Sequence, residues 1–123
     1  MHELTVAIQI RQGLDIELST DDGVLVADAV RVQIGALSGI VPAALQFAWP
    51  HAVSDSEALG SARLDIDWIE VQLHCAACSD IYTLPEFRFL RCPRCRSPDV
   101  EIVAGDELDI ASVDIRERPR DMV

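Results

Sequence analysis

Four cysteines fall in one segment of this chain as two Cys-x-x-Cys pairs. They are "CAAC" at Cys75 and Cys78 and "CPRC" at Cys92 and Cys95, with thirteen residues between the pairs. Each pair can wrap two thiolates around one side of an ion, and a hairpin between them brings the pairs together. Four thiolates in a closed tetrahedron suit structural Zn²⁺. An iron site of the same donor set is the second alternative, and two disulfides or four free thiols the third. Clustered cysteines in a chain expected in the cytoplasm point to metal before disulfides. A closed four-thiolate site has no open coordination position, so it argues for a structural role and against hydrolysis.

The second constellation is the opening "MHEL". The amine of Met1 and the imidazole of His2 can reach one ion, and the peptide nitrogen between them can join when deprotonated. Such donors chelate in small fused rings close to a plane, which suits Ni²⁺ or Cu²⁺. Glu3 could add an oxygen or a backbone nitrogen, or orient His2 from outside the coordination sphere. The plainer reading is that Glu3 favours the positive end of a first helix. His51 and His74 receive no site role. His51 reads as a surface or satisfied core residue, and His74 as a polar residue at a strand end. No Ser–His–Asp grouping, phosphate loop or carboxylate dyad stands out, so the chain does not read as an enzyme.

Composition narrows the classes further. The net charge of −11 and pI near 4.4 disfavour nucleic acid and anionic membrane as partners. All ten basic residues are arginine, and Arg88, Arg91, Arg94 and Arg96 crowd around the second cysteine pair. Those four read as charge balance for a dianionic four-thiolate site. The competing reading is a docking patch of a zinc-ribbon adaptor for nucleic acid or protein. No apolar run approaches the roughly 20 residues needed to span a bilayer, and no signal peptide is evident, so the expected setting is cytoplasmic. Half the residues are hydrophobic but aromatics are only 5%, so the core must be aliphatic.

Most of the elements that position these groups follow from hydrophobic periodicity. Residues 4–19 are ambiguous in period, since Val6, Ile8 and Ile10 alternate as a strand would. Residue propensities favour a helix there despite Gly13, and Thr20–Gly23 read as a turn. Val30, Val32 and Ile34 alternate as a half-buried strand, followed by the loop "GALSGIVP". Pro42 suits the first turn of a helix. "PAALQFAWPHAV" is apolar nearly all round, as a mostly buried helix would be, with Pro50 expected to kink or end it. In 62–73 the apolar parity slips near Trp68–Ile69, and 107–116 behaves alike. From this we expect two long strands that pair with each other and pass from one core into another. The expected domains are 1–73 with 107–123, and an inserted 74–106. The insert has too few apolar residues to fold on burial alone and needs a staple. The tail from Arg116 reads as polar and loose.

With these features in view, nearly the full chain resembles the HypA family, nickel metallochaperones for maturation of nickel-iron hydrogenase. The resemblance rests on "MHEL", "VQIGALSGIVPAALQFA", "CAAC…CPRC" with its thirteen-residue spacing, and "SPDVEIVAGDELDIASVDI", in that order. It implies an α/β (α+β) fold: a small antiparallel three-stranded sheet with two helices, plus an inserted zinc-ribbon domain. It implies His2 as the essential nickel ligand, with the Met1 amine and backbone nitrogens completing the site and Glu3 in support. It implies zinc on Cys75, Cys78, Cys92 and Cys95. The implied partners are a HypB-type GTPase and the hydrogenase large subunit precursor, and some relatives feed urease. A monomer or weak homodimer is expected. The chain departs from the family pattern at Ala36, commonly acidic, and at Ser79 and Arg96, where glycine usually follows each cysteine pair. Gly13 and Pro50 are unusual residues for helices. The "CPRC" pair also resembles rubredoxin, whose knuckles likewise usually continue with glycine.

Overall fold

The computed structural model describes residues 2–85 and 89–116. Among them the chain forms two compact units, one from 2–32, 40–66 and 110–116, the other from 33–39 and 67–109. The fold is α+β.

The first unit opens with helix α1, Glu3–Glu17. Glu3 in the first turn suits the helix dipole, and Val6, Ala7 and Leu14 form its buried face. Gly13 is exposed, with open space around it. Strands β1 (Ser19–Thr20) and β2 (Gly23–Val24) pair across the turn at Asp21 and Asp22. Strand β3, Val26–Gly35, buries Ala27, Ala29, Val30, Val32 and Ile34 and exposes Arg31.

A 3₁₀ turn over Ala36–Ser38 leads to helix α2, Pro42–Val53, with proline at its start. One expectation for α2 is narrowed and one corrected. Of the two outcomes expected at Pro50, a kink or an end, the helix does not end there but continues to Val53. Pro50 removes the N–H that would bond the Gln46 carbonyl, and both residues lie on the exposed side, where water can serve that carbonyl. Nor is the helix mostly buried. Leu45, Ala48, Trp49, Ala52 and Val53 face the core, while Phe47 is 76% exposed. Trp49 satisfies its indole N–H on the Ala62 carbonyl at 2.9 Å.

Strand β4 spans Arg63–Ile69 and β5 spans Val71–Cys75, with the break at Glu70, beside the expected parity slip. Strands β6 (Asp80–Leu84), β7 (Val100–Ala104) and β8 (Leu108–Arg116) follow. One sheet has the order β4-β3-β8 and another the order β6-β5-β7. The expected pairing of 62–73 with 107–116 is therefore corrected: β3 lies between β4 and β8. Parity in a sequence reports which face a strand buries, not which strand lies beside it. Strand β8 also runs without a break through its own parity change.

The second unit is built on the antiparallel sheet β6-β5-β7. Val71, Leu73 and Leu84 are its buried apolar cluster, with Ala36, Leu37 and Val100 packed against them. Residues 33–39 join this unit through backbone hydrogen bonds. The Gly35 N–H donates to the Glu107 carbonyl and the Leu37 N–H to the Gly105 carbonyl, both at 2.7 Å. Only glycines permit this approach. A Cβ on Gly35 would stand 2.1 Å from the Gly105 oxygen, and one on Gly105, at φ 112°, 2.7 Å from the Val71 Cα. The cysteine-bearing unit thus takes in more of the chain than 74–106.

Candidate metal sites

The cysteine cluster is assembled from two turns of the same construction. Cys75 ends β5 and Cys78 lies in the turn before β6. The Cys78 N–H donates to Cys75 Sγ, and the Cys95 N–H to Cys92 Sγ, each at 3.4 Å. The residue after each pair turns back: the Ser79 N–H bonds the Cys75 carbonyl at 2.8 Å and the Arg96 N–H the Cys92 carbonyl at 2.9 Å. Ser79 and Arg96 have φ of 54° and 61°. They occupy the left-handed positions that explain why glycine commonly follows such pairs.

The four sulfurs lie within 4.8 Å of one another. Cys75 and Cys95 are 3.6 Å apart, Cys78 and Cys92 3.9 Å, and all four cysteines are free. A disulfide needs about 2.05 Å, so these sulfurs are not bonded. A tetrahedron with metal–sulfur distances of about 2.3 Å has edges of about 3.8 Å. The donor set and its spacing therefore fit a structural zinc ion, held between the two turns.

The electrostatics fit a cluster that shares charge. Desolvation raises Cys92, but the N–H groups of Cys95 and Arg94 and the neighbouring thiols outweigh it and hold Cys92 at about 6. The Cys95 thiol, and then desolvation, push Cys78 up to about 12. Cys95 is raised as well: the Ser97 N–H lowers it, but the Cys92 thiol and burial prevail. Arg94 is held charged by Tyr82 and by the Cys78 sulfur, in keeping with the charge-balance reading of the arginines. Arg91 and Arg96 are exposed beside Phe89 and Pro93 along a groove of about 460 Å³. Arg88 lies outside the described residues.

The terminal motif is positioned by the start of α1. His2 is its N-cap residue, extended at φ −71° and ψ 144°, with no side-chain cap bond and an exposed side chain. The first N–H groups of a helix have no intrahelical acceptor, which leaves the His2 peptide nitrogen outside the helical ladder. Met1 lies outside the described residues. The Glu3 carboxylate accepts its own backbone N–H and that of Val41, the latter at 3.2 Å, and these bonds hold its pKa below the usual carboxylate range. Glu3 thus ties the start of α1 to the start of α2.

The other two histidines stand apart from both sites. His51 is exposed and lies against Phe47, ring centroids 5.4 Å apart. His74 is half-buried within β5. The Val41 N–H and the Tyr82 hydroxyl escaped the sequence reading. Every residue offers a backbone N–H, so Val41 carried no signal, while Tyr82, the lone tyrosine, shares strand parity with Leu84.

The family described as "Hydrogenase/urease nickel incorporation, metallochaperone, hypA" matches residues 1–115. The chain belongs to the HypA family. It is 33% identical over 114 residues to a hydrogenase maturation factor HypA of Roseiflexus sp., covering 93% of this chain and 91% of the relative. It is 34% identical over 117 residues to that of Chloroflexus aggregans, covering 93% and 98%. The solution structure of the Ni metallochaperone HypA from Helicobacter pylori is similar with a TM-score of 0.62 and 26% identity, over 94% of this chain and 97% of that one. A second solution structure of a HypA protein shares the fold at a TM-score of 0.57 and 22% identity. As a HypA-family member the chain is a nickel metallochaperone of hydrogenase maturation, and the family's work is metal incorporation.

Proposed function

We propose that this chain takes one Ni²⁺ at its N-terminal motif and passes it to a hydrogenase precursor, with Cys75, Cys78, Cys92 and Cys95 holding zinc as a structural staple. In this reading the Met1 amine, the His2 peptide nitrogen and the His2 imidazole bind the cargo. Glu3 keeps the start of α1 against Val41. The observation that carries the reading is the exposed His2 at the N-cap of α1, with its peptide nitrogen outside the ladder, inside a family match that begins at residue 1. Few donors and open exposure suit a carrier that must release its cargo.

The chemistry is transfer of an ion between ligand sets, with no substrate bond made or broken. The fitting partners are a HypB-type GTPase and the hydrogenase large subunit precursor, acting in the cytoplasm. Among the described residues no helix is long and apolar enough to cross a membrane.

Nickel titration of protein with a free N-terminus, beside His2→Ala, tests the cargo site. Wild type should bind one Ni²⁺, and His2→Ala should lose that binding while its melting temperature stays unchanged. Equal stoichiometry and affinity in the two proteins would sink the assignment. An α-amine titrates near about 7.7–8.0 and an imidazole near about 6.5. Protons compete with the metal for both, so nickel should leave as the pH falls from neutral to mildly acidic. A colourless purified protein containing one zinc and no iron would exclude an electron-carrying iron site.

A further inference from the structure

The two cysteine turns match in three respects. The second cysteine's N–H reaches the first sulfur, the next residue is left-handed, and that residue's N–H returns to the first carbonyl. They differ at the second sulfur. Cys95 Sγ takes the backbone N–H of Ser97. The residue two beyond Cys78 is Asp80, which has already entered β6 in register with Cys75. The group near Cys78 in its place is a side chain, the hydroxyl of Tyr82.

Strand register brings that hydroxyl there. Tyr82 stands opposite Leu73, and strand alternation gives it the face shared by Cys75 and the buried Leu84. Its Oη is buried and has no hydrogen-bond partner among the protein atoms. A buried hydroxyl without a partner costs about 1–3 kcal/mol, and a phenylalanine at this position would avoid that cost. The orphan thus points to an acceptor that forms only when the site is filled. Arg94 is a further neighbour of the phenol. A guanidinium can only donate, so if it engages the oxygen it does so at a lone pair and leaves the hydroxyl hydrogen for the sulfur.

We propose that Tyr82 is the positioning residue of the metal site, its hydroxyl donating to the Cys78 thiolate when the ion is bound, with Arg94 holding the phenol in that orientation. This rests on the reading of the four cysteines as metal ligands. A charge-assisted hydrogen bond to a thiolate is among the stronger kinds. By drawing charge from the sulfur it slows loss of the ion and makes Cys78 a poorer nucleophile. Metal–ligand groups held in this way from outside the coordination sphere change metal affinity by about 10–100-fold when the partner is removed. Cys78 has only intermediate burial, unlike Cys75 and Cys92, so it is a thiolate that electrophiles can reach.

The test compares the full chain with Tyr82→Phe, both loaded with Co²⁺ and then with Zn²⁺. Tyr82→Phe should fold by circular dichroism and still bind Co²⁺ tetrahedrally. Its sulfur-to-cobalt charge-transfer band should move to lower energy, because a thiolate without its hydrogen bond is a better electron donor. Zinc should pass to a competing chelator on the order of tenfold faster, and alkylation mapped by mass spectrometry should rise at Cys78. An unshifted band with unchanged zinc release overturns the role of Tyr82 alone. A wild-type protein that takes up no tetrahedral Co²⁺ overturns the cysteine reading and this inference with it. Should Tyr82→Phe fail to fold, the unmutated protein loaded with NMR-active cadmium decides. Scalar coupling between the Tyr82 hydroxyl proton and the metal supports the bond, and a visible hydroxyl proton without coupling refutes it.

Discussion

The two compact units are held by different physics. The first buries apolar side chains from both helices and from β3 and β4, with Leu14, Leu45, Trp49, Val53, Leu59 and Leu64 all nearly inaccessible. In the second, the apolar cluster is Val71, Leu73 and Leu84, and β7 leaves Ile102 and Val103 exposed. Fully burying such a side chain contributes about 1.5–3 kcal/mol, whereas ordering a residue's backbone costs about 1–2 kcal/mol. With Ala36, Leu37 and Val100 packed against these three and Ile34 buried in residues 33–39, the apolar side chains are still few for a unit of this length, and the thiolate cluster is expected to supply the remainder. Binding of structural zinc contributes about 10–16 kcal/mol to small domains that fold around it.

Removing the metal should therefore separate the units more than any single substitution. After chelation, or in Cys75→Ser, backbone amides of β5, β6 and β7 should lose protection from hydrogen exchange, while those of α1 and α2 keep theirs. Restoring zinc should restore the wild-type pattern but not that of the variant. Full protection of β5–β7 in zinc-free protein would show that the second unit has a core of its own. Next in size is Gly105→Ala in zinc-loaded protein. The added methyl meets the Val71 backbone at 2.7 Å, in a φ of 112° that disfavours any side chain. About 3 kcal/mol or more of stability should be lost by urea denaturation, with spectral changes centred on the second unit.

The difference between the units also explains what could be read in advance. The cysteine turns were legible because chelation by two close pairs is local chemistry, visible in spacing alone. The helix α1 was legible from residue propensities and from the family resemblance, not from its apolar period. The sheet order was not legible. Parity told which face Leu64 and Ile66 use, but the place of β3 between β4 and β8 depends on pairing across the chain. Whether α2 would continue or end at Pro50 was not legible, because the cost of proline depends on whether the freed Gln46 carbonyl is solvated, which only the fold decides. Nothing about Tyr82 in the sequence betrays that its hydroxyl lacks a partner, since that follows from register and burial together.

Within the first unit, α1 is fastened to the end of α2 by Arg11, which donates to Asp15 at 3.0 Å, to the Ala52 carbonyl at 2.9 Å and to Asp55. Asp15 in turn accepts the Ser56 hydroxyl at 2.6 Å. Arg11→Ala should lower the melting temperature of the first unit by a few degrees and leave zinc content unchanged. The pH dependence has a definite sign. The hydrogen bond and charge of Arg11 lower the Asp55 pKa. Its contribution is then complete above the unfolded value, about 3.9, and is lost as pH falls through the lower folded value. Melts of wild type and Asp55→Asn should differ at neutral pH and converge in strong acid. A gap that stayed constant across that range would mean the contact works through packing rather than charge.

The smallest effects come from opposite edits to glycine, and they separate helix physics from turn physics. In the first unit, Gly13 lies within α1 with nothing within 4 Å of an added Cβ. Gly13→Ala should stabilise the protein by about 0.5–1 kcal/mol, because glycine in a helix interior loses more backbone freedom than alanine. In the second unit the sign reverses. Ser79 and Arg96 carry side chains at φ of 54° and 61°, where an L-residue bears a strain of about 1–2 kcal/mol. Ser79→Gly or Arg96→Gly relieves it, less about 0.4–1 kcal/mol for the greater freedom glycine gains when unfolded. A net gain on the order of 1 kcal/mol at each site should appear as slower zinc loss from the variant, since strain in the turn opposes closure around the ion. Should both glycine variants lose zinc faster, the side chains of Ser79 and Arg96 contribute something to the loaded site that outweighs their backbone strain.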